Sequence, residues 1–261
     1  MKTLRFTYEM LFEFSQPVQK HRFTLKCMPK SSERQNVEEA VCRIEPAPKC
    51  SESLDSFGNK ELYGYVEMPH ESFRVEVERL AVTGLKDYET AQSSYQLGIF
   101  KYPSDYTVPG SCLKEYMASL SLTKDQSAYD KGVFLMHKIH EDFQYEKGVT
   151  TFLTTAEEAM RLKKGVCQDY AHILIALLRM MKIPARYVVG MMIGEGASHA
   201  WVEVESEGKW YGLDPTNDML AGEDYIKISH GRDYNDCIVN KGVFNGLASQ
   251  KQGIKVIVHE Q

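Results

Sequence analysis

Apolar and polar residues alternate with a period near two through RFTYEMLFEF (5–14), HRFTLKCMP (21–29), EAVCRIEP (39–46), KELYGYVEM (60–68) and SFRVEVERLAVTG (72–84). That period sends successive side chains to opposite faces of a strand. Turn-rich pieces separate the runs: Pro29-Lys30-Ser31-Ser32, Pro46-Ala47-Pro48 and Asp55-Ser56-Phe57-Gly58-Asn59. Five strands punctuated in this way predict an antiparallel β-sandwich over residues 1–85. From 86 to 122 the pattern fades. Tyr102-Pro103 and Pro109-Gly110 break it, which predicts a connector packed against the domain after it.

Helical spacing takes over near Thr123. In DQSAYDKGVFLMHKIHEDFQYE (125–146), Val133, Phe134, Met136, His137, His140 and Phe143 fall on one broad face. A capping box at Thr155-Ala156-Glu157-Glu158 predicts a second helix, stopped by Lys163-Lys164-Gly165. A third is predicted from about Cys167 to Met181, apolar on nearly every side and therefore central to a core. Lys182-Ile183-Pro184 ends it. Period two then returns in ARYVVGMMIG (185–194), SHAWVEVES (198–206), KWYGLDPT (209–216) and IKVIVHE (254–260). Residues 123–261 thus read as an α+β domain, one buried helix against an antiparallel sheet.

Composition narrows the function classes. Of 261 residues, 43% are hydrophobic and 26% charged, as in globular proteins with a real core. A net charge of −5 gives no reason to expect nucleic acid or an anionic membrane surface as partner. Lys2, Arg5 and Glu9 interrupt the start, so it does not read as a signal peptide. No apolar run approaches the roughly 20 residues of a membrane span. Six cysteines without CxxC pairs argue against structural zinc and a disulfide scaffold, and predict a reducing, cytoplasmic setting. His137 and His140 stand one turn apart but have no third ligand in sequence reach, so they are read as packing or solvent-facing residues and no metal site is expected.

Cys167, in KGVCQDYA, sits in the first turn of the buried helix, where the partial positive charge of the helix end favours a thiolate. Asp169 works the other way. A nucleophilic cysteine needs a base, and the base an orienting partner. SHAWVEV puts His199 and Trp201 on one face of a strand and Ala200, Val202 and Val204 on the other. A two-residue turn at Ser206-Glu207 sets His199 directly opposite Asp214; one at Glu207-Gly208 makes them diagonal neighbours on the same face. A three-residue loop separates the faces. Paired, Asp214 would orient His199, His199 would exchange the proton, and Cys167 would attack an acyl carbon to form a thioester.

GVCQDYA, IPARYVVG (183–190), SHAWVEV (198–204), WYGLDPTN (210–217) and HGRDYNDC (230–237) together resemble the bacterial transglutaminase-like family in order and spacing. The likeness runs from about Thr155 to Gly246, and the β-rich start with its DSFGN turn resembles the sandwich that often precedes this core. It implies a papain-like α+β core, a triad of Cys167, His199 and Asp214, and no metal or organic cofactor. Cys237 and Asn240 depart from the pattern, which usually has an apolar residue and a proline there. The backbone N–H of Cys167 is a natural oxyanion donor; Tyr145 and Gln168 are candidates for the second, and Trp201 for a cleft wall or core packing. The short loop Ile193–Ala197 is read as able to flex over the site.

Water, an amine or a cofactor-borne group could each receive the acyl group from the thioester. Hydrolysis of a peptide or protein amide is expected, because no calcium site is readable and family members of this size are usually described as candidate cysteine proteases. Transglutaminase-type transfer to an amine is the alternative, and a non-catalytic binding module the alternative of another class.

Overall fold

The first strand is far longer than the sequence pattern predicts. In the computed structural model, which describes residues 1–38, 41–91, 97–123 and 125–261, a single strand spans Lys2–Leu25 and absorbs the first two predicted ones. Its register shifts between Glu13 and Val18 and again between Gln19 and Arg22, and Lys20 adopts φ 52°. The strand bends there and serves both layers of a sandwich. Its first half pairs with His70–Thr83 and Gln250–Glu260, its second with Lys60–Val66 and Asn240–Asn245. Alternating Phe6, Tyr8, Met10, Phe73, Val75 and Val77 are fully buried between the layers. Phe23 and Phe73 meet across them with ring centroids 4.7 Å apart.

EAVCRIEP gives the strand Val41–Glu45 on the edge of His70–Thr83; its Glu39 and Ala40 lie outside the described residues. Lys49–Leu54 is a further strand, exposed at all six positions, so no apolar alternation announces it. Gln250–Glu260 lies between the first strand of the chain and Gly194–Gly196, pairing with both.

The stretch 86–122 contains more regular structure than a connector. Glu89–Thr90 pairs with Lys209–Asp214, and helix α1 spans Ser111–Ser119. Glu157, far along the chain, caps α1: its carboxylate accepts from Gly110 N (2.9 Å), Cys112 N (2.8 Å) and Leu113 N (3.1 Å). A cap supplied from elsewhere leaves no local signal. Residues 92–96 lie outside the described residues.

Helix α2 (Ala128–Asp142) starts at a Ser127/Asp130 capping box. Its buried stripe is Gly132, Leu135, Met136 and Ile139, continued by Phe143. The face predicted from sequence is therefore rotated, and His137 and His140 lie on the exposed side. Helix α3 (Ala156–Leu162) begins at the predicted Thr155/Glu158 box. Its left-handed C-terminal residue is Lys163 (φ 52°), not the expected Gly165, which belongs to a two-residue strand paired with Gln144–Tyr145.

Helix α4 (Cys167–Met180) matches its prediction, and every residue from Asp169 to Arg179 is buried. It lies on an antiparallel sheet ordered Met219–Leu220, Lys209–Asp214, His199–Ser206, Ala185–Met192, Tyr225–Gly231. Ala185, Tyr187, Val189, Ala200, Val202, Val204 and Leu213 join the core that α4 fills. Tyr225–Gly231 is absent from the predicted strands, although Ile226 and Ile228 alternate with Lys227 and Ser229. Those two isoleucines and Met191 complete the sandwich core, so both sheets share one apolar seam.

Candidate active site

At the start of α4 the chain turns through Gly165-Val166-Cys167. Asp169 Oδ2 accepts from Val166 N at 2.8 Å and from the Thr150 hydroxyl at 2.7 Å. The carboxylate thus folds back over the first turn of the helix as a cap. Burial pushes its pKa above the usual carboxylate value, against the pull of those two hydrogen bonds. Asp169, read from sequence as a carboxylate opposing a thiolate, also has this capping role. Gly165 is needed for it, since a Cβ there would lie 2.4 Å from Asp169 Oδ2.

The hairpin uses the second of the two predicted turns. Ser206 pairs with Lys209 and Val202 with Leu213, leaving Glu207 (φ 53°) and Gly208 (φ 78°) as a left-handed two-residue turn. His199 and Asp214 are accordingly diagonal neighbours, and His199 Nε2 meets Asp214 Oδ2 at 2.7 Å.

Asp214 is completely buried yet well supplied with donors. Oδ2 also accepts from Asn217 Nδ2 (2.7 Å) and the Tyr225 hydroxyl (2.8 Å), and Oδ1 from the backbone N–H of Thr216 (2.9 Å) and Asn217 (3.3 Å). Burial alone would raise its pKa; the contact with His199 and the Asn217 and Tyr225 donors overcome that and hold it below the usual value. For His199 burial pulls down, but hydrogen bonds to Asp214 and Cys167 and their charges outweigh it and raise the imidazole to about 10. Cys167 is half-buried and near enough to His199 for its charge to be felt there. Asp214 occupies Nε2 of the ring. The arrangement favours an imidazolium beside the sulfur.

The remaining sequence candidates fall in different places. Tyr145 is about half exposed and feels the charge of Cys167, though burial is the larger reason its phenol is shifted upward. Gln168 turns aside, its Nε2 donating to Phe152 O at 3.1 Å. Trp201 is 1% exposed and lies under the histidine, its ring centroid 6.4 Å from that of His199 and 5.3 Å from Tyr225. Gly194–Gly196, within the loop read as free to flex, pairs with Val256–Val258 of the C-terminal strand. The approach to His199 is therefore laced to the sandwich.

Sequence reasoning missed the support around Asp214. Tyr225 belongs to an unpredicted strand, while Asn217 stood inside WYGLDPTN without an assigned role. His137 Nδ1 hydrogen-bonds Asp218 Oδ1, and His140 Nδ1 donates to Thr216 O at 3.0 Å. Their one-turn spacing was the available signal.

Residues 116–215 match the model of the transglutaminase-like superfamily, and residues 4–81 that of the bacterial transglutaminase-like N-terminal region. An uncharacterized protein of Mycobacterium tuberculosis is 31% identical over 247 residues, covering 82% of this chain and 79% of its own. The chain belongs to the transglutaminase-like superfamily. An uncharacterized protein of Mycobacterium leprae is 40% identical over 112 residues, covering 39% of this chain and 40% of its own. A candidate cysteine protease from Cytophaga hutchinsonii shares the transglutaminase-like fold with a TM-score of 0.80 at 20% identity, over 99% of this chain and 90% of that one. Cys167, His199 and Asp214 all fall inside the region matched to the transglutaminase-like core. Among the described residues no helix is long and apolar enough to cross a membrane.

Proposed function

We propose that the protein is a thiol hydrolase, a peptidase or amidase working through Cys167, His199 and Asp214, with the chemistry carried by residues 123–261. The contact of His199 Nε2 with the buried Asp214 carboxylate at 2.7 Å carries this reading, because it holds the imidazole in one orientation and stabilises its protonated form. The Cys167 thiolate attacks the acyl carbon of a peptide or protein amide. The backbone N–H of Cys167 and the Tyr145 hydroxyl are the oxyanion donors in this scheme; Gln168 is engaged with Phe152 O. His199 passes its proton to the leaving amine as the C–N bond breaks, leaving a thioester. Water then attacks with His199 as base, the carboxylic acid departs and the thiolate–imidazolium pair is restored.

The description of the Cytophaga hutchinsonii neighbour supports water as acceptor. Six free cysteines suit a reducing compartment such as the cytoplasm. Incubation with glutamine-containing peptides and a labelled primary amine tests the reading. Hydrolysis is expected to dominate; amine incorporation that outpaces it would make the protein an amine-transferring enzyme. Labelling of Cys167 at the rate of an ordinary thiol, unchanged by His199→Ala, would instead favour a non-catalytic binding module.

A further inference from the structure

We propose that His137 and His140 are positioning residues for the catalytic aspartate, acting through the turn Pro215–Asp218. Three of the five donors to Asp214 come from this turn: Thr216 N at 2.9 Å, Asn217 N at 3.3 Å and Asn217 Nδ2 at 2.7 Å. Asn217 Nδ2 also approaches His199 Nε2, at 3.5 Å. The turn therefore sets both the charge environment of Asp214 and one flank of the imidazole. The backbone of this turn is not regular, and Asp218 holds the left-handed region at φ 55°.

Two imidazoles of α2 hold it from outside. His140 Nδ1 donates to Thr216 O at 3.0 Å, and His137 Nδ1 engages the Asp218 carboxylate, so Asn217 is bracketed on both sides. The spacing explains the pair. Residues three apart on a helix share a face, and this face lies away from the buried stripe of Gly132, Leu135, Met136 and Ile139. Packing thus does not account for two histidines here, whereas the turn uses both Nδ1 atoms. A rigid helix, anchored in the core by that stripe, transmits its position to Thr216, then to Asp214, then to His199.

This inference rests on the hydrolase reading for its role and on the hydrogen bonds alone for its geometry, so the test has two readouts. One is the rate at which iodoacetamide alkylates Cys167 in the full-length protein at pH 7. The other is the low-field imidazole N–H proton resonance of His199, which reports its bond to Asp214 without requiring turnover. His140→Ala, losing one hydrogen bond, is expected to slow alkylation by about three- to tenfold and to broaden or move the resonance. His140→Asn places an amide nitrogen where Nδ1 stood and is expected to restore both. The His137→Ala, His140→Ala pair is expected to exceed either single change. Both residues are on the exposed side of α2, and circular dichroism verifies that each variant is folded. A His140→Ala protein with wild-type alkylation and resonance, changed only in melting temperature, would overturn the proposal. So would a defect that His140→Asn fails to repair. A wild-type Cys167 that reacts as an ordinary thiol would defeat the hydrolase reading, while the resonance would still report on the clamp.

Discussion

The Tyr225 hydroxyl donates to Asp214 Oδ2 at 2.8 Å, sharing that oxygen with His199 Nε2 at 2.7 Å. Tyr225 comes from the far edge of the sheet, across Ala185–Met192 and His199–Ser206 from the strand that ends in Asp214. Its ring also packs edge-on against Trp201, which lies under the histidine. One side chain thus supports the aspartate by hydrogen bonding and the histidine's floor by contact.

Tyr225→Phe keeps the ring contact and removes only the hydroxyl. Because the lost bond is to a buried ionised carboxylate, the folded state is expected to lose about 1.5–3 kcal/mol, read by urea denaturation at pH 6. No loss of stability would mean that the hydroxyl has no net role.

Asp214→Asn removes the charge that, with hydrogen bonding, overcomes the downward effect of burial on His199. The imidazole is then expected to be neutral over more of the pH range. Alkylation of Cys167 should fall at pH 5–6 by at least roughly tenfold and recover as pH rises. An unchanged pH profile would show that Asp214 does not govern the pair.

Stability itself should depend on pH through the same two groups. His199 is raised from 6.5 to about 10, so its contribution is complete below pH 6.5 and is lost as pH rises toward 10. Asp214 is lowered from 3.8, so its contribution is complete above that value and is lost as pH falls through its depressed value. The stability difference between wild type and Asp214→Asn should therefore be largest between about pH 4 and 6.5 and shrink on either side. Denaturant titrations across pH 3–10 measure it; a difference that stays flat to pH 10 would contradict the coupling.

Gly165→Ala should displace the Asp169 cap, because the new methyl would meet Oδ2 at 2.4 Å. Crowding and cap loss together predict a cost of about 1–3 kcal/mol, with slower alkylation of Cys167 as the first turn of α4 loosens. Thermal melting and the labelling rate check the two effects separately. A protein of wild-type stability would mean the carboxylate can move aside freely.

Much of the site was legible because it depends on spacing along one strand or helix. The Thr155/Glu158 box, the limits of α4 and the shared face of His199 and Trp201 follow from local periods of 3.6 and 2, which no distant residue needs to supply. The arithmetic of the hairpin put His199 and Asp214 on one face for either two-residue turn and on opposite faces for a three-residue loop. Choosing between them took the Glu207-Gly208 turn, whose positive φ angles match the twist of the flanking strands. Other features had no local trace. The Glu157 cap on α1, the Tyr225 donor to Asp214 and the pairing of Gln250–Glu260 with the first strand join parts of the chain brought together only by folding. By itself the sequence determined the Thr155/Glu158 start of α3, the limits of α4 with Cys167 in its first turn, and the face that His199 shares with Trp201. Only the tertiary structure decided what surrounds each charge, because the hydrogen bonds that set those charges cross between elements.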